Sequence, residues 1–187
     1  MGNLWSVTNA LKYLGIKSEI SSDTNKIASA EFLIIPGVGS FKLAMEKIKA
    51  KKINLAIYEA VKKKTKILGI CLGLQLLGNY SDEDGGYEGL KIIQDNVEKI
   101  KSPKIKVPHV GFNAVTINND KILFKGIKNK SDFYFNHSYC MKNIKKSFTT
   151  SICNQGEKFV SSLCKKNVFA TQFHPEKSQS NGLVLLK

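Results

Sequence analysis

Cys71 stands in the run Gly69-Ile70-Cys71-Leu72-Gly73, behind the apolar Lys66-Ile67-Leu68 and ahead of Leu72-Gly-Leu-Gln-Leu-Leu77. The spacing predicts a strand that turns sharply into a helix with the cysteine at the bend, the sulfur counterpart of a Gly-x-Ser-x-Gly nucleophile elbow. The two glycines admit a cramped turn that a Cβ would obstruct. A thiol held there is lifted off the sheet toward the helix N-terminus, whose partial positive charge favours the thiolate. A cysteine between Ile and Leu is more commonly a small buried hydrophobe. Phe173-His174-Pro175-Glu176 shifts that balance, because a cysteine nucleophile needs a base and the base needs an orienting group. His174 and Glu176 supply both from one strand end. The pair of motifs predicts acyl chemistry, with Cys71 as nucleophile, His174 as acid and base, and Glu176 as its orienting carboxylate.

The elements that must position these groups are legible in outline. Asn3 reads as the N-cap of a helix carrying Leu4, Val7, Leu11 and Leu14 at helical spacing, with Gly15 as its stop. Residues 31–35 form a short apolar strand ending at Pro36, as a buried parallel strand would. Helices follow over about 41–51 and 53–63, then the elbow strand 67–70 and the helix from Leu72. This alternation predicts an open α/β sheet. After the polar loop 81–86 the apolar runs are strand-like: 97–100, 105–107, 114–117, 133–136, 148–153, 159–163 and 168–173. With no linker or repeat, the chain reads as one domain over 1–187 with a strand-rich second half folding back on the first sheet.

Pro36-Gly37-Val38-Gly39 follows a strand's C-terminal end, where ligands bind in open α/β sheets. Its glycines could free a backbone N–H to face a developing oxyanion, with the Leu72 N–H as second donor. The plainer alternative is an ordinary turn.

Composition narrows the class. A 42% hydrophobic and 24% charged chain of 187 residues can bury a core without disulfides or metal. There is no apolar run long enough for a membrane span and no secretory leader pattern. Cys71, Cys140, Cys153 and Cys164 form no CxxC pair, which fits a reducing cytoplasm. The net charge of +14 would suggest nucleic acid, but all 29 basic residues are lysine and they are spread along the chain. Phosphate recognition favours arginine forks, so a mild attraction for phosphorylated metabolites or an acidic partner is the better expectation. The histidines and scattered cysteines lack metal-site spacing, and no cofactor is expected.

Three motifs carry a family resemblance: Gly69-Ile-Cys-Leu-Gly-Leu-Gln75, Pro36-Gly-Val-Gly-Ser-Phe41 and Gln172-Phe-His-Pro-Glu-Lys177. Together they resemble the class I, Cys-His-Glu glutamine amidotransferases. Val107-Pro-His-Val-Gly-Phe-Asn113 and Phe133-Tyr-Phe-Asn-His-Ser-Tyr139 narrow the likeness to the glutaminase subunits of imidazole glycerol phosphate synthase. The resemblance implies an open, mostly parallel, doubly wound sheet. It implies glutamine hydrolysis through a Cys71 thioester, with Val38, Gly39 and Leu72 at the oxyanion. Gln75 and the segment His137, Ser138, Tyr139 would contact L-glutamine.

The partner implied is a (β/α)-barrel cyclase in a heterodimer, met by Asn3, His109, Phe112 and Lys177, with ammonia passing to it in histidine biosynthesis. A lone histidine such as His109 is more often structural. Phe112 stands where the family has Trp, and Trp5 where it has a basic residue. The family opens with an apolar strand and an Asp-Tyr-Gly turn before Gly2-Asn3-Leu4, so the first strand reads as missing and Met1 as an internal methionine. The chain also stops a few residues into its last helix. Competing readings are a paralogous glutaminase serving surface-glycan amidotransfer, and an inactive truncated binding subunit. A vitamin B6 glutaminase fits less well, since its Pro-Gly-Gly-Glu-Ser is here Pro-Gly-Val-Gly-Ser.

Overall fold

The computed structural model describes residues 4–101, 106–118, 120, 122–142 and 148–187. The first half alternates helix and strand: α1 (Leu4–Tyr13), α2 (Thr24–Ala28), β1 (Phe32–Gly37), α3 (Phe41–Ala50), α4 (Ile53–Lys62), β2 (Lys66–Cys71) and α5 (Leu72–Leu76). Short strands β3 (Tyr80–Ser81), β4 (Tyr87–Glu88) and β5 (Asn96–Lys99) lead into β6 (His109–Thr116), β7 (Asp132–His137) and β8 (Tyr139–Cys140). Then come β9 (Thr149–Gln155), β10 (Glu157–Lys165), β11 (Val168–Thr171) and α6 (Gln179–Leu186). The predicted cap Asn3 lies outside the described residues. The predicted stop holds, because Gly15 takes φ 74° and Ile16 N–H returns to the Leu11 carbonyl at 2.9 Å.

Seven strands form one sheet in the order β1-β2-β11-β10-β9-β6-β7, with a second, four-stranded ribbon β4-β3-β5-β8. The β1, β2 and β11 neighbours are parallel; the remaining pairs of the large sheet are antiparallel. Within the large sheet, parallel pairing is therefore confined to β1, β2 and β11, and the strand-rich second half extends the same sheet beyond them. Apolar residues cover both faces of β2. Ile67 packs with Phe41, Met45, Ile57 and Ala60 of α3 and α4, while Ile70 packs with Val7 and Leu11 of α1. A third cluster of Phe133, Phe135, Phe159 and Phe173 fills the space under the antiparallel strands.

The structure moves three predicted boundaries. The first strand runs through Pro36 to Gly37, and a proline is tolerated there because β1 stands at one end of the order. Of the predicted strand 105–107, Ile105 lies outside the described residues and Lys106 and Val107 are irregular. The strand instead begins at His109, several residues ahead of the predicted 114–117. Val110 and Phe112 project outward at 56% and 46% exposure, so apolar residues on the outer face masked the alternation. Helix α2, whose N-cap Asp23 accepts from the Asn25 and Lys26 amides, was not anticipated.

The elbow is held by contact distance. A Cβ on Gly73 would lie 1.7 Å from the Ile35 carbonyl oxygen, and one on Gly69 would lie 2.9 Å from the Gly73 and Leu74 backbone. The start of α5 therefore rests directly on β1 and β2. Gly73→Ala must push them apart, and a loss of at least ~2 kcal/mol is expected, read as a lowered midpoint in urea unfolding.

Candidate active site

Cys71 ends β2, and its backbone takes φ 54°, ψ −107° immediately before α5. A non-glycine residue in that region costs roughly 1–3 kcal/mol and persists only where its surroundings enforce it. The strain aims Sγ away from the strand, where it accepts from Gln172 Nε2 at 3.7 Å and lies 3.8 Å from the Asn136 carbonyl oxygen. As first residue of α5, Leu72 has an N–H outside the helix's own bonding pattern, and no side chain caps it. With five residues, α5 is short, so its end field contributes less than the elbow motif suggests.

His174 follows β11, the parallel neighbour of β2, so base and nucleophile emerge from adjacent strands at the same sheet edge. Its backbone N–H donates to the Tyr134 carbonyl at 2.8 Å. Ser178 Oγ donates to the His174 carbonyl at 2.6 Å and accepts from Tyr134 N–H at 2.9 Å, tying β7 to the catalytic turn. The ring is oriented by Glu176: Nδ1 lies 2.8 Å from Oε1, with both side chains fully enclosed. Burial alone would hold this imidazole neutral. Hydrogen bonds and charge from Cys71 and Glu176 override it and raise His174 to about 9. Behind the turn, Gly182 of α6 lets the helix approach so closely that a Cβ would fall 1.8 Å from the Pro175 oxygen.

The other predicted residues divide. Val38 and Gly39 follow β1, where Gly37 pairs with Cys71 and a Cβ on Gly37 would meet Leu72 Cβ at 3.0 Å. The start of the loop is thus packed against the Leu72 side chain, with Gly39 at φ 108°. An acidic turn after β3 anchors its far end. Glu83 accepts from Phe41 N–H and Asp84 from Ser40 Oγ, each at 2.8 Å. Asp82, Glu83 and Asp84 are close enough to Tyr139 to hold its phenol above the usual range, burial being the larger cause. Gln75 is buried and donates from Nε2 to the Tyr139 carbonyl at 2.9 Å and to Gln172 Oε1 at 3.2 Å. Ser138 accepts from Ile100 N–H at 2.9 Å. His137 is enclosed, and burial pushes it down to about 3.

His109 corrects the interface expectation. It is 3% exposed, stacked on Phe135 at 4.9 Å, and cannot reach a partner; the structural alternative stands. Phe112 and Lys177 do share a surface. The Phe112 ring meets Tyr134 edge-on at 5.5 Å, and Lys177 Nζ sits 5.6 Å above the same ring. Tyr134, Gln172, Ser178 and the acidic turn escaped sequence reasoning, although Gln172 and Ser178 flank the His-Pro-Glu motif. Asn3 lies outside the described residues. Among the described residues no three His, Cys, Asp or Glu side chains group as a metal site, and no helix is long and apolar enough to cross a membrane.

A strained cysteine elbow and a carboxylate-oriented histidine after the neighbouring parallel strand form a candidate site for cysteine-dependent amide chemistry. The chain belongs to the class I glutamine amidotransferase family, whose model, described as glutamine amidotransferase class-I, matches residues 1–184. Within that family it is similar to imidazole glycerol phosphate synthase subunit HisH of Caldanaerobacter subterraneus, at 44% identity over all of this chain and 92% of the relative. The subunit of the same name from Chlorobaculum tepidum is 41% identical over all of this chain and 93% of its own length. Among solved structures, a glutamine amidotransferase superposes with a TM-score of 0.76 at 16% identity, covering 98% of this chain and 90% of the other. The glutaminase domain of Trypanosoma brucei CTPS gives 0.67 at 14%, covering 99% and 87%. Those structural likenesses support the fold.

The cysteines should separate chemically. Burial raises Cys140 and Cys153 to about 12 and Cys164 to about 11, keeping all three as thiols. Limiting iodoacetamide near neutral pH should therefore modify Cys71 first, read by peptide mass spectrometry. Earlier modification of any other cysteine in the folded protein would contradict this assignment.

Proposed function

We propose that this chain, as a single amidotransferase domain over 1–187, is the glutaminase subunit of an imidazole glycerol phosphate synthase in the cytoplasm. The observation that carries the reading is the enclosed Cys71, His174 and Glu176 constellation at the parallel edge of a HisH-like chain. Cys71 sulfur attacks the side-chain amide carbon of L-glutamine, breaking the carbonyl π bond. Leu72 N–H and the loop at Val38 and Gly39 receive the oxyanion. His174 gives its proton to the departing nitrogen, ammonia leaves, and a γ-glutamyl thioester remains. Water then attacks as His174 takes its proton, the carbon–sulfur bond breaks, and glutamate is released. Glu176 keeps the imidazole oriented and offsets its charge throughout.

Substrate specificity rests on both ends of glutamine. The segment His137, Ser138 and Tyr139, with Gln75 beneath it, borders the nucleophile, and the acidic turn 82–84 beside Tyr139 supplies negative potential for an α-ammonium group. Ammonia released into neutral water becomes ammonium and loses its nucleophilicity. The glutaminase therefore works docked on an ammonia-consuming synthase, a (β/α)-barrel cyclase that meets the Phe112, Tyr134 and Lys177 surface. Phe112 in place of the family's Trp leaves an aromatic contact there.

Two outcomes test this reading. With the cyclase present, Cys71→Ala should abolish glutamine-dependent synthesis while leaving synthesis from ammonium salts within about twofold, since removing the nucleophile costs the whole covalent route. Retained glutamine-dependent turnover would refute the assignment. The second concerns pH. His174 is protonated below about 9, so ammonia departure should be supported up to that pH and fall above it. Glu176 helps raise His174, so Glu176→Gln should move the alkaline fall to lower pH and cut kcat by about two orders of magnitude or more.

A further inference from the structure

The buried histidines His109 and His137 take no part in the chemistry above, yet all their ring nitrogens are engaged. His137 Nδ1 lies 2.8 Å from the Tyr139 carbonyl oxygen. A carbonyl only accepts, so Nδ1 carries the proton and Nε2 is bare. Nε2 lies 3.0 Å from His109 Nδ1, which must then donate. That leaves His109 Nε2 as an acceptor, matched by Asn113 Nδ2 at 2.7 Å. On the other side, Gln75 Nε2 donates to the same Tyr139 carbonyl and to Gln172 Oε1. With its oxygen so engaged, Gln172 directs Nε2 at Cys71 Sγ, 3.7 Å away. Each assignment forces the next, from the outer strand β6 to the nucleophile.

Protonating His137 would set its Nε2–H against the His109 Nδ1–H at 3.0 Å, and protonating His109 would set its Nε2–H against the Asn113 amide NH2 at 2.7 Å, so this hydrogen-bond pattern calls for two neutral rings. Burial acts in the same direction on each, and positive charge on His109 or His174 would disfavour a charged His137 further. Packing fixes the ring planes: His109 stacks on Phe135 and both rings meet Phe159 edge-on. A charged His137 would also oppose the His174 imidazolium that ammonia departure requires.

We propose that His109 and His137 are positioning residues for Cys71. They form a neutral, Nδ1-protonated pair that fixes the Tyr139 carbonyl and, through Gln75, holds the Gln172 amide on the sulfur. The proposal rests on Cys71 being the nucleophile, but its test uses no glutamine turnover, so its failure would leave the glutaminase reading standing.

With three histidines in the chain, 15N-histidine spectra of the full-length protein resolve each ring. His109 and His137 should both show protonated Nδ1 and bare Nε2, without titrating from about pH 5.5 to 8.5. Titration of either ring in that range, or an Nε2–H tautomer, would overturn the proposal. His109→Phe keeps an aromatic ring against Phe135 and removes the donor to His137. It should shift the His137 Nε2 resonance and slow Cys71 alkylation roughly three- to tenfold. Gln172→Leu should slow alkylation at least as much, and His109→Gln, which keeps a donor and an acceptor, should recover part of the loss. A folded His109→Phe whose Cys71 alkylates within twofold of the parent would show that the chain does not reach the nucleophile. If His109→Phe does not fold, Asn113→Ala, which removes the outermost donor, and the parent spectra carry the same decision.

Discussion

The structure depends on one contact, the seating of the α5 start on the ends of β1 and β2. Gly73 approaches the Ile35 carbonyl so closely that no side chain fits, and Cys71 is thereby forced to φ 54°, ψ −107°. A relaxed cysteine would point its sulfur along the sheet surface. The strained one projects it toward the strand ends, and the strain persists because strands on either side are fixed by the sheet. Gly37 brings the 38–39 loop to Leu72 by the same closeness of approach. The candidate nucleophile and the loop proposed for the oxyanion are thus set by backbone packing, which is stiffer than any arrangement of long side chains.

The base reaches this point through topology. Inserting β11 beside β2 puts residues 172–176 at the edge where Cys71 emerges, although the two segments lie a hundred residues apart. The antiparallel half of the sheet then restrains the base from outside. Tyr134 on β7 pairs with the His174 backbone in one direction and with Ser178 in the other. Phe133, Phe135 and Phe173 lock that strand to the same turn. The strand-rich half, which the sequence suggests folds back on the first sheet, extends that sheet and clamps the turn that carries His174.

The triad was legible because its requirements are local: Cys71 needs a strand–helix bend with flanking glycines, and His174 and Glu176 lie two residues apart. The alternating helices and strands of the first half were legible for the same reason. What escaped was nonlocal. His109 resembled a docking residue because its segment resembles the family's partner-facing loop, and the structure instead pairs it with His137 across the β6–β7 register and buries it. The β6 boundary was lost because Val110 and Phe112 put apolar groups on the outer face. The acidic turn 82–84 read only as part of a polar loop and Gln172 only as the edge of a motif, since their partners at Phe41 and Cys71 lie far away in sequence.

The three histidines show how far identical rings can be driven apart by their neighbours. All are buried, and burial alone disfavours the charge on each. His174 faces a carboxylate and a sulfur, both able to bear negative charge, and it rises to about 9. His137 faces a carbonyl on one nitrogen and another imidazole on the other, and it falls to about 3. A carbonyl dipole rewards an N–H without requiring a positive ring, whereas a carboxylate gains most when the ring is charged. In the proposed mechanism one imidazolium stands where a proton leaves with ammonia, and burial disfavours the charge on the other two rings. The acceptors at the two Nδ1 atoms differ accordingly: Glu176 at His174 and the Tyr139 carbonyl at His137.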